Sequence, residues 1–493
     1  MKEQSKLSKV LSILLSVVLV ISSFYLLYQV IRLNVLPSKF LFPLTIGVVV
    51  LDAIFILLLI YFSKNVVSKI ICVVLTLLVC AASCFGGYYI SKTKSALSNI
   101  TNVAKHAKNT VSVIVKESSS IKNKSQLNGV SVGSLRLNEQ GSKKALKELS
   151  GEGIVLNQKE YDSMTALLEA FYNGEVDSII INESSRSQIL DMEAYSNFDS
   201  NTRVVYQTSY KVKNNDSATS VSDITSKPFN VLISGSDTRG GFDENGRSDV
   251  IMIATVNPKT HTILLTSVPR DFYVTTACDA GDGCMQGALD KITHTGIHGT
   301  NTTKRTVEQL LGIEINYTFK VGFDTVTELV DVLGGVDVYV EPGYATTTSE
   351  FSVHEGVNHL NAQQALAFAR ERYSYTEGDR QRTKNQQQVL MGIVKEATKP
   401  SVITNYAAIM DTMANTFSTT MSNEEITDLI KYQLNNNPTW KMEQYMVDGT
   451  GDTLMCAGLG DAASVMVPDQ STVKMAKDKI NAVLAGKSSE DVK

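Results

Sequence analysis

At 493 residues the chain is longer than one ordinary domain, and length alone predicts about three. Its formal net charge of −4 gives no reason to expect nucleic acid as a partner. The apolar residues are concentrated near the N-terminus. Residues 10–31, 40–62 and 70–90 are each long and apolar enough to cross a bilayer core of ~30 Å. The first is not a lone signal peptide, because no small-residue cleavage site follows it and two further spans do. Lys2, Lys6 and Lys9 precede span one, and Lys64 and Lys69 separate spans two and three, against Arg32 and Lys39 in the other loop. That bias predicts a cytoplasmic N-terminus and places residues 91–493 outside the cell. Asp52 falls near the middle of span two, where a carboxylate is costly. It is either a functional group or a residue paired between helices, with Gln29 or a serine of span one as partner. Cys72, Cys80 and Cys84 lie in span three and act as small apolar residues.

Residues 91–213 are polar, rich in Ser, Asn and Lys, and carry no cluster of catalytic residue types. Residues 161–172 have helical spacing (Met164, Leu167, Leu168, Phe171), Asn173-Gly174 stops them, and residues 176–181 read as a strand. With another strand near Val130, this predicts a small α/β accessory domain. Residues 214–226 form a polar linker.

The next stretch, 227–399, holds the chemistry. An apolar run (231–233) leads into the polar turn SGSDTRG (234–240), then Arg247-Ser248-Asp249, and a second run (250–256). Asn257-Pro258-Lys259-Thr260 turns the chain into a third run (262–268), which ends in Pro269-Arg270-Asp271. Short β-rich runs bounded by Gly, Pro and Asn are strands, and the short turn makes the second and third an antiparallel hairpin. Folding it at Lys259 sets Asp249 opposite Arg270, and Asp237 sits just past the end of the first strand. Two carboxylates about 4 Å apart repel by roughly 4 kcal/mol at an effective dielectric of about 20, so such a pair calls for a cation. Mg²⁺ takes one or two carboxylates together with phosphate oxygens, and flanking arginines suit the phosphate. The alternative is a surface turn with two ordinary salt bridges.

Further along, Cys278 and Cys284 bracket a short external loop and are close enough to close it as a disulfide. The aspartates between them do not match a calcium loop. Lys291 lies in LDKITHTGIHG beside His294 and His298, whose spacing has Gly296 within it and no third ligand in a zinc pattern. Residues 303–311 and 324–333 read as helices, the second stopped by Gly334-Gly335 before a strand at 336–340. Asn361 and Gln364 form an N-cap pair for a helix over 362–369, which leads to Arg370 and Arg372. Another helix starts near Asp379 with an apolar stripe through Val389, Leu390, Ile393, Val394 and Ala397. At about 100° per residue, Arg382 and Gln386 project onto that stripe, whereas Arg380 and Lys384 do not. An arginine on a core-facing stripe needs an anion. A bound ligand can supply it, or Glu371 or Asp379 can, or the stem can pack while the head reaches water. Residues 400–486 read as more helix and strand completing the sheet's cover, with a helix capped by Ser422 and a β segment after Trp440. Residues 487–493 are expected to be a disordered tail.

The strand-GSDTRG turn, the RSDV strand, the SVPRD ending, Lys291, LVDVLGGVDVYV (329–340) and the arginine-rich segment 369–388 together resemble the LytR–CpsA–Psr family of Gram-positive envelope proteins. The resemblance covers about residues 229–399, and three preceding spans are most similar to the layout of the streptococcal capsule members. It implies a phosphotransferase that moves a capsular polysaccharide or related glycopolymer from an undecaprenyl-pyrophosphate carrier to peptidoglycan, with lipid-pyrophosphate phosphatase as a side activity. Asp237 and Asp249 would hold Mg²⁺, with Mn²⁺ as the alternative. Arg247, Arg270, Lys291, Arg370, Arg372, Arg382 and Gln386 would bind the pyrophosphate, and Arg247, Asp249, Arg270 and Asp271 would carry the chemistry. Implied partners are the polyprenyl-pyrophosphate-linked glycan, the peptidoglycan acceptor and other capsule-export proteins. Two departures stand out. Thr293-His294-Thr295 replaces an Asn-Ala-Tyr-like sequence, and Asn385 stands where the family commonly has a second arginine. The alternative function is a membrane regulator or sensor that binds lipid-linked glycan without turnover. The expected fold class is α/β: three N-terminal transmembrane helices (1–90), the accessory domain, and an α/β/α layered catalytic domain with a mixed central sheet.

Overall fold

The computed structural model describes residues 6–62, 65–103, 106–213, 217–236, 244–278, 283–399 and 402–492. The chain divides into two compact units. The first begins with three helices, α1 (Lys6–Leu33), α2 (Ser38–Leu57, continued by a π-helical turn Leu58–Phe62) and α3 (Val66–Val103). All three are long and apolar enough to cross a membrane, over Ser8–Leu33, Ser38–Phe62 and Val66–Thr101. Asp52 is buried in α2 and accepts a 2.8 Å hydrogen bond from the Ser23 hydroxyl of α1, so the interhelical pairing holds. α3 runs past the expected end at residue 90, because Ala96, Leu97 and Ile100 keep a buried face along its polar last turns.

The second unit opens with β1 (His106–Lys116), β2 (Ser131–Leu135), α4 (Glu139–Gly151), β3 (Asn157–Tyr161), α5 (Met164–Asn173), β4 (Ser178–Asn182), α6 (Arg186–Asp191), the single turn α7 (Phe198–Asn201) and β5 (Thr202–Lys213). The strands form one mixed sheet in the order β3-β2-β4-β1-β5. The continuous apolar run of β4 follows from its central place, since Ile179 and Ile181 pack on Leu167, Leu168 and Phe171 of α5 while Ile180 packs towards Ala145 and Leu149 of α4. Gly174 ends α5 in the left-handed conformation (φ 79°).

The second unit continues with β6 (Phe229–Ser236), β7 (Ser248–Asn257), β8 (Thr262–Val268), a small hairpin β9 (Tyr273–Thr275) and β10 (Leu289–Lys291), α8 (Thr300–Leu311), β11 (Tyr317–Gly322) and α9 (Phe323–Leu333). Then come β12 (Val336–Val340), the short pair β13 (Thr346–Thr347) and β14 (Ser352–Val353), β15 (Gly356–Leu360), α10 (Ala362–Arg370) and α11 (Asp379–Ala397). The chain ends with α12 (Val402–Thr416), β16 (Phe417–Thr419), α13 (Asn423–Asn436), β17 (Lys441–Met446), β18 (Gly449–Cys456), β19 (Asp461–Pro468) and α14 (Gln470–Leu484). The central sheet has the order β16-β11-β6-β7-β8-β17, with parallel pairs at β11–β6 and β8–β17 and antiparallel pairs elsewhere. Leu232, Ile251, Ile253, Leu264 and Val268 pack on α8 and α14 through Val307, Leu311, Val473 and Ile480. Residues alternate faces along a strand, so Ser267 points the other way, where it meets Gln387 of α11. The domain is therefore layered α/β/α. α12 and α13 belong to the first unit, where Lys39 donates to the Asn435 carbonyl (2.6 Å) and Lys431 to Asn34 (2.8 Å). Residues after Gly486 depart from the expected disorder. Ser489–Asp491 form a helical turn, held by Ser488 and Ser489 donating to the buried carboxylate of Glu443 at 2.8 Å each.

Candidate functional site

The site is built where β7 and α11 begin and β8 and β10 end. The β7–β8 register pairs Asn257 with Thr262 and Ile251 with Val268; two residues further it sets Asp249 across from Arg270. Their ion pair is 2.9 Å, and Thr293 donates to the same Asp249 oxygen at 3.3 Å. Against β6 the register shifts: Gly235 pairs with Val250 but Ser236 pairs with Ser248, leaving Asp249 as the extra residue of a β-bulge. Bulges re-aim a side chain at a strand end. Position 235 is glycine because a Cβ there would stand 2.7 Å from the Cβ of Val250. Beneath the bulge a chain of buried hydroxyls joins Ser234, Ser248 and Thr303 at 2.9 and 3.0 Å, and Thr295 donates to Thr303 at 2.9 Å. The floor of the site is thus hydrogen-bonded from β6 to α8.

Around Asp249 stand the cations. Arg270 also approaches Asp271 (3.7 Å), and Lys291 lies 3.4 Å from the other Asp271 oxygen. Arg247 is 4.0 Å from the second Asp249 oxygen and forms a close ion pair with Asp191 of α6. Arg382, in the first turn of α11, is 2.5 Å from Asp379, one of the two carboxylates considered for it from sequence. Arg372 lies in the loop before α11 with its guanidinium over the Tyr373 ring, 4.6 Å from the centroid. Arg370 ends α10 and is exposed, and Gln386 is half-buried one turn beyond Arg382. Asp237 lies outside the described residues. The site as described holds five cations (Arg247, Arg270, Lys291, Arg372, Arg382) against four carboxylates (Asp191, Asp249, Asp271, Asp379).

The arginines do not share one condition. Burial works against the charge of Arg270, yet Asp249 and Asp271 outweigh it and hold the guanidinium above its usual range. Burial pushes Arg382 below its usual range; Arg270 and Arg372 add to that, and Asp379 and Asp249 do not make up the difference. An arginine does not give up its proton in a protein, so the shortfall is a demand for a further anion. The Nε–H groups of Arg247, Arg270 and Arg382 point the same way: each is buried, and none has a hydrogen-bond partner among the described residues.

Sequence projection put Arg382 and Gln386 on the inward face of α11 and passed over three other polar residues there. Gln381 donates to Asn385 (3.0 Å), Asn385 donates to the Phe368 carbonyl of α10 (3.1 Å), and Gln387 donates to Ser267 and to the Tyr445 carbonyl (2.9 and 2.8 Å). These amides join α11 to α10 and to the sheet. Asn385, in place of a second arginine, is fully buried and structural. Asp191 was also missed, because the accessory domain carries no catalytic pattern of its own. That domain holds the approach to the site as well, with Lys108 of β1 3.1 Å from Glu244.

The sequence model described as the LytR_cpsA_psr family matches residues 194–482, more than half of the chain. The chain belongs to the LytR–CpsA–Psr family. The match extends beyond residues 229–399 at both ends, taking in β5 and the C-terminal elements to α14. Among relatives, the polyisoprenyl-teichoic acid–peptidoglycan teichoic acid transferase TagU of Bacillus cereus (strain AH820) is 31% identical over 241 residues, 48% of this chain and 76% of its own. The protein of the same name from Bacillus subtilis (strain 168) is 34% identical over 203 residues, 41% of this chain and 63% of its own. The crystal structure of B. subtilis TagU is 28% identical, covers 52% of this chain and 97% of its own, and has a TM-score of 0.41. In this LytR–CpsA–Psr member the family's arginine-rich segment is α11 with the loop before it, and the SVPRD ending supplies the partner of Asp249.

Proposed function

We propose that this protein is a membrane-anchored phosphotransferase that moves a glycopolymer from a polyprenyl-pyrophosphate carrier to peptidoglycan, with a capsular polysaccharide as the polymer and hydrolysis of lipid pyrophosphate as a side activity. The observation that carries the reading is the buried, under-neutralised Arg382 facing Asp249 and Arg270. The names of the TagU relatives supply the class of donor and acceptor. Phosphoryl transfer asks little covalent help of a protein and much placing of charge. Arg382, Arg372 and Arg247 receive the pyrophosphate oxygens, Arg270 is held rigid by Asp249, and Lys291 reaches in from β10. A wall-glycan hydroxyl attacks the phosphorus nearer the glycan. The new O–P bond forms as the bridging P–O bond breaks, and the electron pair leaves on polyprenyl phosphate. Asp249 would take the hydroxyl proton only where it does not hold a metal, and Asp271 is the second candidate.

The donor set suits a hard divalent cation. Asp249 engages Arg270 and Thr293 through one oxygen, while the other has, among the described residues, only Arg247 within ion-pair distance, at 4.0 Å. Asp249 and Asp237 would hold Mg²⁺ or Mn²⁺, which neutralises pyrophosphate oxygens when bound. Asp249→Ala should abolish Mg²⁺-dependent turnover of a polyprenyl-pyrophosphate substrate and also lower the melting transition, because it leaves the buried Arg270 guanidinium without its 2.9 Å partner. In cells that variant should leave polymer on the carrier or in the medium. Normal wall attachment together with altered capsule-gene transcription would instead favour the regulator reading.

A further inference from the structure

A cavity of about 130 Å³ lies between the accessory domain and the catalytic part of the second unit, on the far side of β10 from the arginines. Successive strand residues face opposite ways, so Lys291 approaches Asp271 while Asp290, one residue earlier, faces the cavity. The lining is polar but almost uncharged. Among the described residues its lining holds no lysine or arginine, which argues against a phosphate or carboxylate ligand. Asp290, the one carboxylate among those residues, is already engaged by His294 (2.8 Å), the Lys291 nitrogen (2.8 Å) and the Gly458 nitrogen (2.9 Å), which leaves little for a cation.

The rest of the wall is amide-rich. Asn109 of β1 donates to the Tyr210 hydroxyl at 3.5 Å, but the side-chain oxygens of Asn109 and Asn182 are buried with no partner among the described residues. Gln188 is 5% exposed and Asn245 9% exposed, and the side chain of neither is hydrogen-bonded to a described residue. Four neutral amides from two domains therefore meet around one space with hydrogen-bonding capacity left over. Buried polar groups in folded proteins are normally satisfied, so this surplus points to a ligand. Met164 and Ile297 give the same cavity an apolar flank.

We propose that this cavity is a subsite for one neutral sugar residue, its hydroxyls bonding to Asn109, Asn182, Gln188 and Asn245 and its C–H face lying on the apolar flank. Each sugar hydroxyl both donates and accepts, as a set of amides requires. A cavity of ~150 Å³ accommodates a six-membered ring, so the volume suits one ring and not a chain. Asp290 lines the cavity and its neighbour Lys291 approaches Asp271, so the subsite adjoins the arginine site along β10. The inference deepens the glycan-transfer reading and takes from it only that the substrates bear sugars.

Direct binding tests it without turnover, so either idea can fail alone. Saturation-transfer NMR on the full chain in detergent would use glucose and N-acetylglucosamine as probes. Wild-type protein and Asp249→Ala should both bind one of them with a dissociation constant on the order of 1 mM. Gln188→Leu should weaken binding at least tenfold, as should Asn182→Leu, which serves if the first variant fails to melt like wild type. Preference for N-acetylglucosamine assigns the subsite to the wall acceptor; preference for glucose assigns it to the donor polymer. No saturation transfer to wild type, wild-type affinity in both leucine variants, or loss of binding in an Asp249→Ala protein still folded by circular dichroism would each overturn the proposal.

Discussion

Arg380 and Arg382 stand two residues apart on α11 and meet opposite conditions. Arg380 is 45% exposed and pairs with Asp448 at the surface (2.7 Å), whereas Arg382 is 13% exposed and lacks enough counter-charge. Arg382→Ala should weaken lipid-pyrophosphate binding by roughly 2 to 5 kcal/mol, as for truncation of a desolvated charge pair. Arg380→Ala should cost no more than about 1 kcal/mol, the usual limit for an exposed pair. Titration of both variants with the same substrate checks this, and equal losses would mean that the inward face of α11 has been wrongly drawn. At this scale the sequence was legible where contacts follow local geometry. Hairpin arithmetic suffices for Asp249 opposite Arg270, and helical projection for Arg382. It was silent on the Asp249 bulge, which depends on the third strand, and on Asp191, which reaches Arg247 from the end of α6 in the accessory domain with no periodicity to announce it.

Among the elements, the helical turn Ile292–His298 bears most closely on the site. A Cβ on Gly296 would lie 2.5 Å from the Gly246 carbonyl and 2.6 Å from the Ser248 nitrogen, and against the Ser248 hydroxyl. Gly296→Ala must push the start of β7 away, and with it Arg247 and Asp249. Overpacking of this kind costs ~1–3 kcal/mol, so a lowered melting temperature should accompany loss of turnover. Turnover unchanged in that variant would show that the start of β7 tolerates displacement. The edge strand β17 makes a second prediction. Burial opposes the charge of Glu443, but Lys441, Ser489 and Ser488 hold its carboxyl down at about 2, below the ordinary 4.5. A depressed pKa stabilises the fold above pH 4.5 and ceases to do so as pH falls towards about 2. Glu443→Gln should therefore lower stability at neutral pH and flatten its dependence across that window, as acid titration by circular dichroism would record. Helix ends were legible where local chemistry marks them, as at Asn361–Gln364, Ser422 and Gly334, but not at the starts of α5 and α8, expected at 161 and 303 and found at Met164 and Thr300. The parallel partner of β8 was not, because β17 joins it from about 170 residues further on, and no pattern within either strand encodes that pairing.

For the whole molecule, three apolar helices and the lysine bias predict that protease added to wall-stripped intact cells digests the chain beyond α3 while sparing the helices. A protected bulk would remove the wall-directed function with the topology. The two-unit division also bears on how the protein can be handled. The chain leaves the sheet-bearing unit after Ala397, contributes Thr398–Ala414 and Ser422–Pro438 to the helical unit, and returns between and after them to lay down the edge strands β16 and β17. A soluble fragment begun at residue 100 thus keeps α12 and α13 but loses the partners Lys39 and Asn34, and Ile409 and Met410, buried in the full chain, are the apolar side chains it puts at risk of exposure. Such a fragment should need detergent or self-associate, though its three apolar helices are gone. Excising those helices to cure this would put the ends of both edge strands at risk, so a well-behaved secreted form calls for redesigned connections across 398–414 and 422–438 and not for a later start.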